Sequence, residues 1–388
     1  MVSPLVINFF YGFNAGSKLK ELYLSPHCEE LFGKELTEAL LRDFGERNPD
    51  LSLRLLNTAV EREADIFIFD EGEFSGLASS GALMPFEPFP DSETDGQQLA
   101  VPLVSFMDLL FYNIDILKAA GFDRPPKTRD EFLAFAQTVA GSDSPALSGV
   151  FGTAMGLSLH DRQALSRDIF SWIWAAGGDF WSAENGPVIN TRAMVSDISF
   201  LGRLYREGAL APESFDTAGN QRLEEFSQGK IAMIIASSGA IPFLRDKMGD
   251  GAFGVTTIPV PASAGKYSAG LSSLYAGINA SCAYPAEARN FLVFLAEQSP
   301  LLCAELKAVP GDISQLFPGD YVKDDPFYSK AQDIFEASKI AQGFSGKAGA
   351  QEYEKAFIEE IRAFFGNTQT AQETANAIQQ RWNAVRQE

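Results

Sequence analysis

Two histidines, His27 and His160, and three cysteines, Cys28, Cys282 and Cys303, are all the imidazole and thiol in a chain of 388 residues. So little imidazole leaves small scope for histidine-centred acid–base chemistry or a histidine-rich metal site. The cysteines are odd in number and contain no CxxC pair, which argues against a disulfide framework and against a structural zinc site. Buried free thiols are the expectation. No apolar run approaches the roughly 18 residues that a membrane-crossing helix needs. The opening Met1-Val2-Ser3-Pro4 has neither the charged nor the apolar region of a signal peptide, so either the protein is cytosolic or an export segment precedes this sequence. HExxH, GxSxG and GxxxxGK[ST] are absent; Gly346-Lys347 comes near a phosphate loop, but Ala341 stands for its first glycine and Ala348 for its hydroxyl residue. Basic residues are scarce too: 31 against 51 acidic ones give a net charge of −20. That balance argues against nucleic acid and against an anionic membrane surface as partners, and it favours solubility.

What is present reads as a globular α/β protein. A hydrophobic share of 46% is ordinary, and 32 phenylalanines supply bulk for large cores. The length suggests two or three domains. Leu5 to Phe10, Leu51 to Leu56 and Asp65 to Phe69 read as strands, with Tyr11 to Pro26 a loop. Glu29 to Asn48 reads as one amphipathic helix, with apolar residues at three- and four-residue spacing. Asp70-Glu71-Gly72-Glu73 reads as an acidic loop at a strand's C-terminal end, where open α/β sheets place ligands, followed by a helix over 75–80. Thr128, with Glu131 three residues on, predicts a capping box. Helices are expected over 114–120, 166–176, 191–207, 223–228, 241–248 and 285–298, and strands over 231–235, 253–258 and 275–279. From Tyr328 onwards the chain reads as mostly helical. The GxGxxG at Gly249–Gly254 follows a helical stretch rather than a strand, so it reads as a turn entering a strand and not as a dinucleotide site. No repeat and no low-complexity linker separates domains, so the lobes must be stitched together by several chain crossings.

Several stretches resemble one family. They are Phe111-Tyr112-Asn113 with Leu117–Gly121 and Pro126–Phe132; Ala64–Phe67 with Gly81–Pro85; Phe226–Met233; and Gly277-Ile278 with Pro285–Ala288 and Phe291-Leu292. Together they are similar to the extracellular solute-binding proteins of ABC importers, the maltose- and oligosaccharide-binding type, over residues 5 to about 310. The resemblance implies a periplasmic-binding-protein type II fold, two α/β lobes joined by a hinge with a ligand cleft between them. Lobe one would hold 1–112 and 270–318, and lobe two 113–269 and 319–388. It implies a monomer that is not an enzyme, uses no cofactor or metal, and delivers a small-molecule ligand to the transmembrane subunits of an ABC permease. A place in the periplasm or on the outer face of the cytoplasmic membrane follows, with a lipid anchor in the full-length protein. One departure is the short stretch Asn57 to Ala64, where family members carry a helix; the loop Tyr11 to Cys28 is expected to replace that wall.

Carried onto matching positions, the ligand contacts implied are Tyr11, Phe13 and Asn14; Asp70 and Glu71; Ser105, Phe106 and Asp108; Ser237, Ser238 and Gly239; and Ser272 and Ser273. Carboxylates, hydroxyls and aromatic faces suit a polyol. Trp172 and Trp174 point about 200° apart on a helix, so at most one can face the cleft; Trp181 is the preferred stacking residue, and Trp382 is expected in a helix interface. Glu71, Ala236–Gly239 and Ser273-Leu274 also resemble the glycerol-3-phosphate-binding subgroup. That subgroup's glycine-rich segment has an arginine, whereas Gly343–Gly349 here holds only Lys347, and no paired tryptophans fall near Met155–Leu159. A sugar is therefore the first expectation, and glycerol-3-phosphate or a glycerophosphodiester the alternative. Peptide or ion binding is a further class, and an enzyme using Asp70 and Asp108 as a carboxylate pair another.

Overall fold

The computed structural model describes residues 19–56, 63–87, 98–159, 162–182, 186–216, 218–262, 267–311, 323–341, 343, 344, 347 and 349–386. Its centre is a nine-stranded sheet organised around one long strand, Val101–Asn113. Almost every residue of that strand is buried, which its near-continuous apolar sequence allows. Its first half pairs antiparallel with Leu271–Ile278, which in turn pairs antiparallel with Ile66–Asp70. Lys20–Leu24 joins next to Ile66–Asp70, parallel to it and to Leu51–Leu55. The second half pairs antiparallel with Ile231–Ser237 and Phe253–Thr256, and Phe151–Thr153 adds a parallel neighbour to Ile231–Ser237. Helices cover both sides. One apolar core gathers Leu22, Phe44, Ile68, Val101, Phe291 and Leu302 beside the first half. A larger one gathers Phe132, Trp172, Phe180, Phe357 and Trp382 beside the second.

The expected strand Leu5 to Phe10 lies outside the described residues. The loop expected over Tyr11 to Pro26 is corrected at its end, because Lys20–Leu24 is a strand with Lys20 and Glu21 exposed and Leu22 and Leu24 buried. Period-two alternation in five residues is a weaker signal than a continuous apolar run. The loop expected to stand in for a missing wall is shortened again by the helix His27–Phe32. The single helix expected over 29–48 is two, His27–Phe32 and Lys34–Arg47, broken at Gly33, whose φ of 83° is left-handed. The capping box expected at Thr128 is only half formed: Thr128 accepts from the Glu131 amide, while the Glu131 carboxylate takes Arg124 and the Lys127 amide instead. The helix Ile241–Met248 and the turn at Gly249–Ala252 stand where the sequence placed them. All three cysteines are free and buried, and burial pushes the Cys28 thiol up to about 12.

Candidate functional site

Where the two halves of the sheet meet, three helices enclose a cleft of about 490 Å3. The first is Glu71–Ser79. Asp70 ends its strand and caps this helix: Asp70 Oδ1 accepts from the amides of Gly72 (2.8 Å) and Glu73 (3.1 Å), and the Glu73 carboxylate accepts from the Asp70 amide. The acidic stretch is thus a helix start rather than a loop, and Asp70 stabilises the helix. Glu71, one residue on, lines the cleft and accepts from the Ser273 amide.

The second helix, Arg162–Ala175, delivers Arg167, Phe170 and Trp174 to the cleft. Spacings of three and four put them on one face. Trp172 falls on the opposite face, packed in the core against Phe132 and Phe200 with ring centroids 4.9 and 5.2 Å apart. The third helix, Ala350–Phe365, contributes Gln351, Glu354, Lys355 and Ile358, and Gly343 and Phe344 lead up to it. A Cβ at Gly76 would lie 3.3 Å from Gln351 Nε2, so the first and third helices touch across the cleft mouth.

Arg167 also borders a second hollow of about 370 Å3, lined by Asp108, Arg222, Ser237, Gly239 and Ser272 among others. Its charge is already engaged. Nε and Nη2 donate to Asp108 Oδ1 at 2.9 and 2.5 Å, and Ser171 Oγ donates to Asp108 Oδ2 at 2.8 Å. Burial lowers the Arg167 pKa, but the carboxylates of Asp108, Glu71 and Asp168 outweigh it and hold the guanidinium above its usual value. Arg222 is paired in the same way with buried Asp168. Glu354 differs. Burial, reinforced by the negative charge of Glu71, pushes its carboxyl up to about 7.

The other expected contacts fall unevenly. Ser105 and Ser273 are buried and hydrogen-bond each other across neighbouring strands at 2.7 Å. Ser238 is buried, with Oγ accepting from the Met107 amide at 3.1 Å, so it pins its turn to the long strand. Ser237 Oγ accepts from the Gly239 amide, and a Cβ at Gly239 would lie 3.2 Å from the Phe106 ring. Trp181 lies outside the cleft lining, against Tyr353 and under the Lys347 ammonium, 4.6 Å from the ring centroid. Tyr11, Phe13 and Asn14 lie outside the described residues. Among the described residues no cluster of three metal-ligating side chains occurs, and no helix is long and apolar enough to cross a membrane.

The profile of the bacterial extracellular solute-binding proteins matches residues 44–299. The chain belongs to that family. As a solute-binding protein it is similar to a probable ABC transporter-binding protein of Deinococcus radiodurans, 23% identical over 246 residues that make up 62% of this chain and 57% of that one. It is similar as well to the sn-glycerol-3-phosphate-binding periplasmic protein UgpB of Escherichia coli K12, 28% identical over 46% of this chain and 38% of that protein. The chain thus spans about half the length, or less, of the curated relatives it matches. In fold it resembles the GacH receptor of Streptomyces glaucescens, solved unliganded and with acarbose, at a TM-score of 0.74 and 16% identity over 96% of this chain and all of that one. UgpB of Mycobacterium tuberculosis, solved with glycerophosphocholine, superposes at a TM-score of 0.70 and 19% identity over 96% and 99% of the two chains. These neighbours show the periplasmic solute-binding fold, with a large central sheet and helices on both sides. The family is one of binding proteins, not of enzymes. Sequence reasoning passed over Arg167, Phe170, Phe344 and Glu354 in its cleft and gave Trp181 preference over Trp174. The spacing of 167, 170 and 174 on one helix face was the signal available for Arg167, Phe170 and Trp174.

Proposed function

We propose that this solute-binding protein is the substrate-binding component of an ABC importer, and that it captures an uncharged or weakly cationic sugar in the 490 Å3 cleft before docking on a membrane permease outside the cytoplasm. The observation that carries this is the pairing of Arg167 with Asp108. It engages the arginine of the cleft, leaves Lys355 as an exposed cation at the rim, and sets Glu71 and Glu354 as acceptors beside the apolar walls Phe170, Trp174 and Phe344. Carboxylates accept from adjacent hydroxyls, and aromatic faces cover the C–H surfaces of a sugar ring. A phosphate would meet three glutamates, Glu71, Glu352 and Glu354, with the exposed Lys355 and no unengaged arginine to offset them. The second hollow, with Arg222, Ser237, Gly239 and Ser272, would take the far end of a longer ligand. Its two arginines, and the names of the UgpB relatives, favour glycerol-3-phosphate or a phosphodiester as the second reading. Both arginines are already paired with aspartate, which places that reading second.

We propose lobes of 1–112 with 270–318 and of 113–269 with 319–388, with hinge crossings near Tyr112 and Ala269; the third boundary, at residue 319, lies outside the described residues. Closure about these crossings is biased only by contacts a ligand makes with both lobes. A lipid anchor and a monomeric state are part of the same proposal. Trp174 supplies the test. Titration with the bound sugar changes the intrinsic tryptophan fluorescence, and Trp174→Phe removes most of the change and weakens binding about tenfold. An unchanged response in that variant would move the ligand out of this cleft.

A further inference from the structure

Glu354 and Glu71 reach the same cavity from helices on its opposite sides, and each charge raises the cost of the other. Arg167, Glu352 and Lys355 line the same cavity, and Lys347 lies outside it. Arg167, on the Arg162–Ala175 helix, is held by Asp108 of the long strand. Lys355 and Glu352, on the same helix as Glu354, are exposed at the rim. Lys347, in the segment before that helix, sits over the Trp181 ring. No described residue hydrogen-bonds the Glu354 carboxyl. Phe170, Trp174 and Phe344 line the same cavity, with the Phe170 centroid 5.3 Å from Trp174 and 6.2 Å from Phe344.

Resting on the sugar-uptake reading, we propose that this end of the cleft binds a protonated amine, so that the ligand is an amino-bearing sugar or polyol clamped between Glu71 and Glu354 against the aromatic wall. A neutral hydroxyl can donate one hydrogen bond, to one of the two carboxylates. An ammonium donates three, enough to serve both, and its charge favours the ionised form of Glu354. Aromatic faces add attraction for a cation and none for a hydroxyl. Calorimetric titration of the protein at pH 7.0 tests this with matched probes: glucosamine and glucose, galactosamine and galactose, the glucosamine disaccharide and cellobiose. In at least one pair the amine binds at least tenfold more tightly than its neutral twin. Glu354→Gln abolishes that preference while the circular dichroism spectrum is unchanged. Lowering the pH to 5.5, which protonates Glu354, weakens amine binding several-fold. A neutral twin that binds as tightly, or a preference that survives Glu354→Gln, overturns the proposal and leaves the sugar reading standing. Absence of binding by both members of every pair overturns both.

Discussion

Asp108 is wholly buried, and the charge that compensates it comes from one side chain, Arg167. Removing one partner of such a pair leaves an uncompensated buried charge, at a cost of about 3–5 kcal/mol. Arg167→Ala is expected to lose stability on that scale in urea unfolding, and adding Asp108→Asn to recover most of it. Full recovery of stability in the single variant is excluded by this account. Glu354 has the opposite character. Its carboxyl is raised to about 7 from an ordinary 4.5, so the folded state binds its proton more tightly than the unfolded one. The favourable contribution is complete below pH 4.5 and is lost as pH rises through about 7. A shift of this size amounts to about 3 kcal/mol. Comparing urea midpoints at pH 5 and pH 8 checks it: the wild type loses stability over this interval relative to Glu354→Gln, and parallel behaviour of the two proteins would show that Glu354 titrates normally.

At the scale of elements, the helix Glu71–Ser79 holds one wall of the cleft, and its start depends on Asp70. Asp70→Ala is expected to cost about 1 kcal/mol, as loss of an N-cap does, and to leave ligand affinity within about twofold; a loss beyond tenfold would make Asp70 a ligand contact. Gly72 lies exposed on the same first turn and lines the cleft. Gly72→Trp therefore fills the cavity and abolishes binding with little change in melting temperature. Ser238→Trp, by contrast, disrupts the fold, because Ser238 is buried against the long strand. The strong elements were legible in the sequence because their signals are local: the apolar run 231–235, the helix Ile241–Met248, and the stretch around Tyr112 that carried the resemblance. The strand Lys20–Leu24 was not, since its role depends on parallel pairing with Leu51–Leu55, far along the chain. The cleft walls were read least well for the same reason. Whether Ser105 faces a ligand or Ser273 is a matter of strand register, and whether Arg167 is available to a phosphate depends on Asp108, 59 residues away.

For the molecule as a whole, the long strand Val101–Asn113 runs unbroken through both halves of the sheet, while the helices Glu71–Ser79 and Ala350–Phe365 meet across the cleft mouth. The hinge proposed near Tyr112, at the end of this strand, would bring these helices together on closure. Small-angle scattering should show a smaller radius of gyration with ligand than without, and equal values would argue against closure. The central claim, that the cleft takes a sugar rather than a phosphorylated glycerol, is tested most directly by a thermal-shift panel of mono- and disaccharides, their amino derivatives, glycerol-3-phosphate and glycerophosphocholine. A ligand at 100 times its dissociation constant stabilises by about 2.7 kcal/mol, and each kcal/mol raises the melting temperature by roughly 2–4 °C. The account predicts a rise of about 5–10 °C with a sugar or amino sugar and none with glycerol-3-phosphate. A rise confined to the phosphorylated compounds would contradict it and transfer recognition to Arg167 and Arg222.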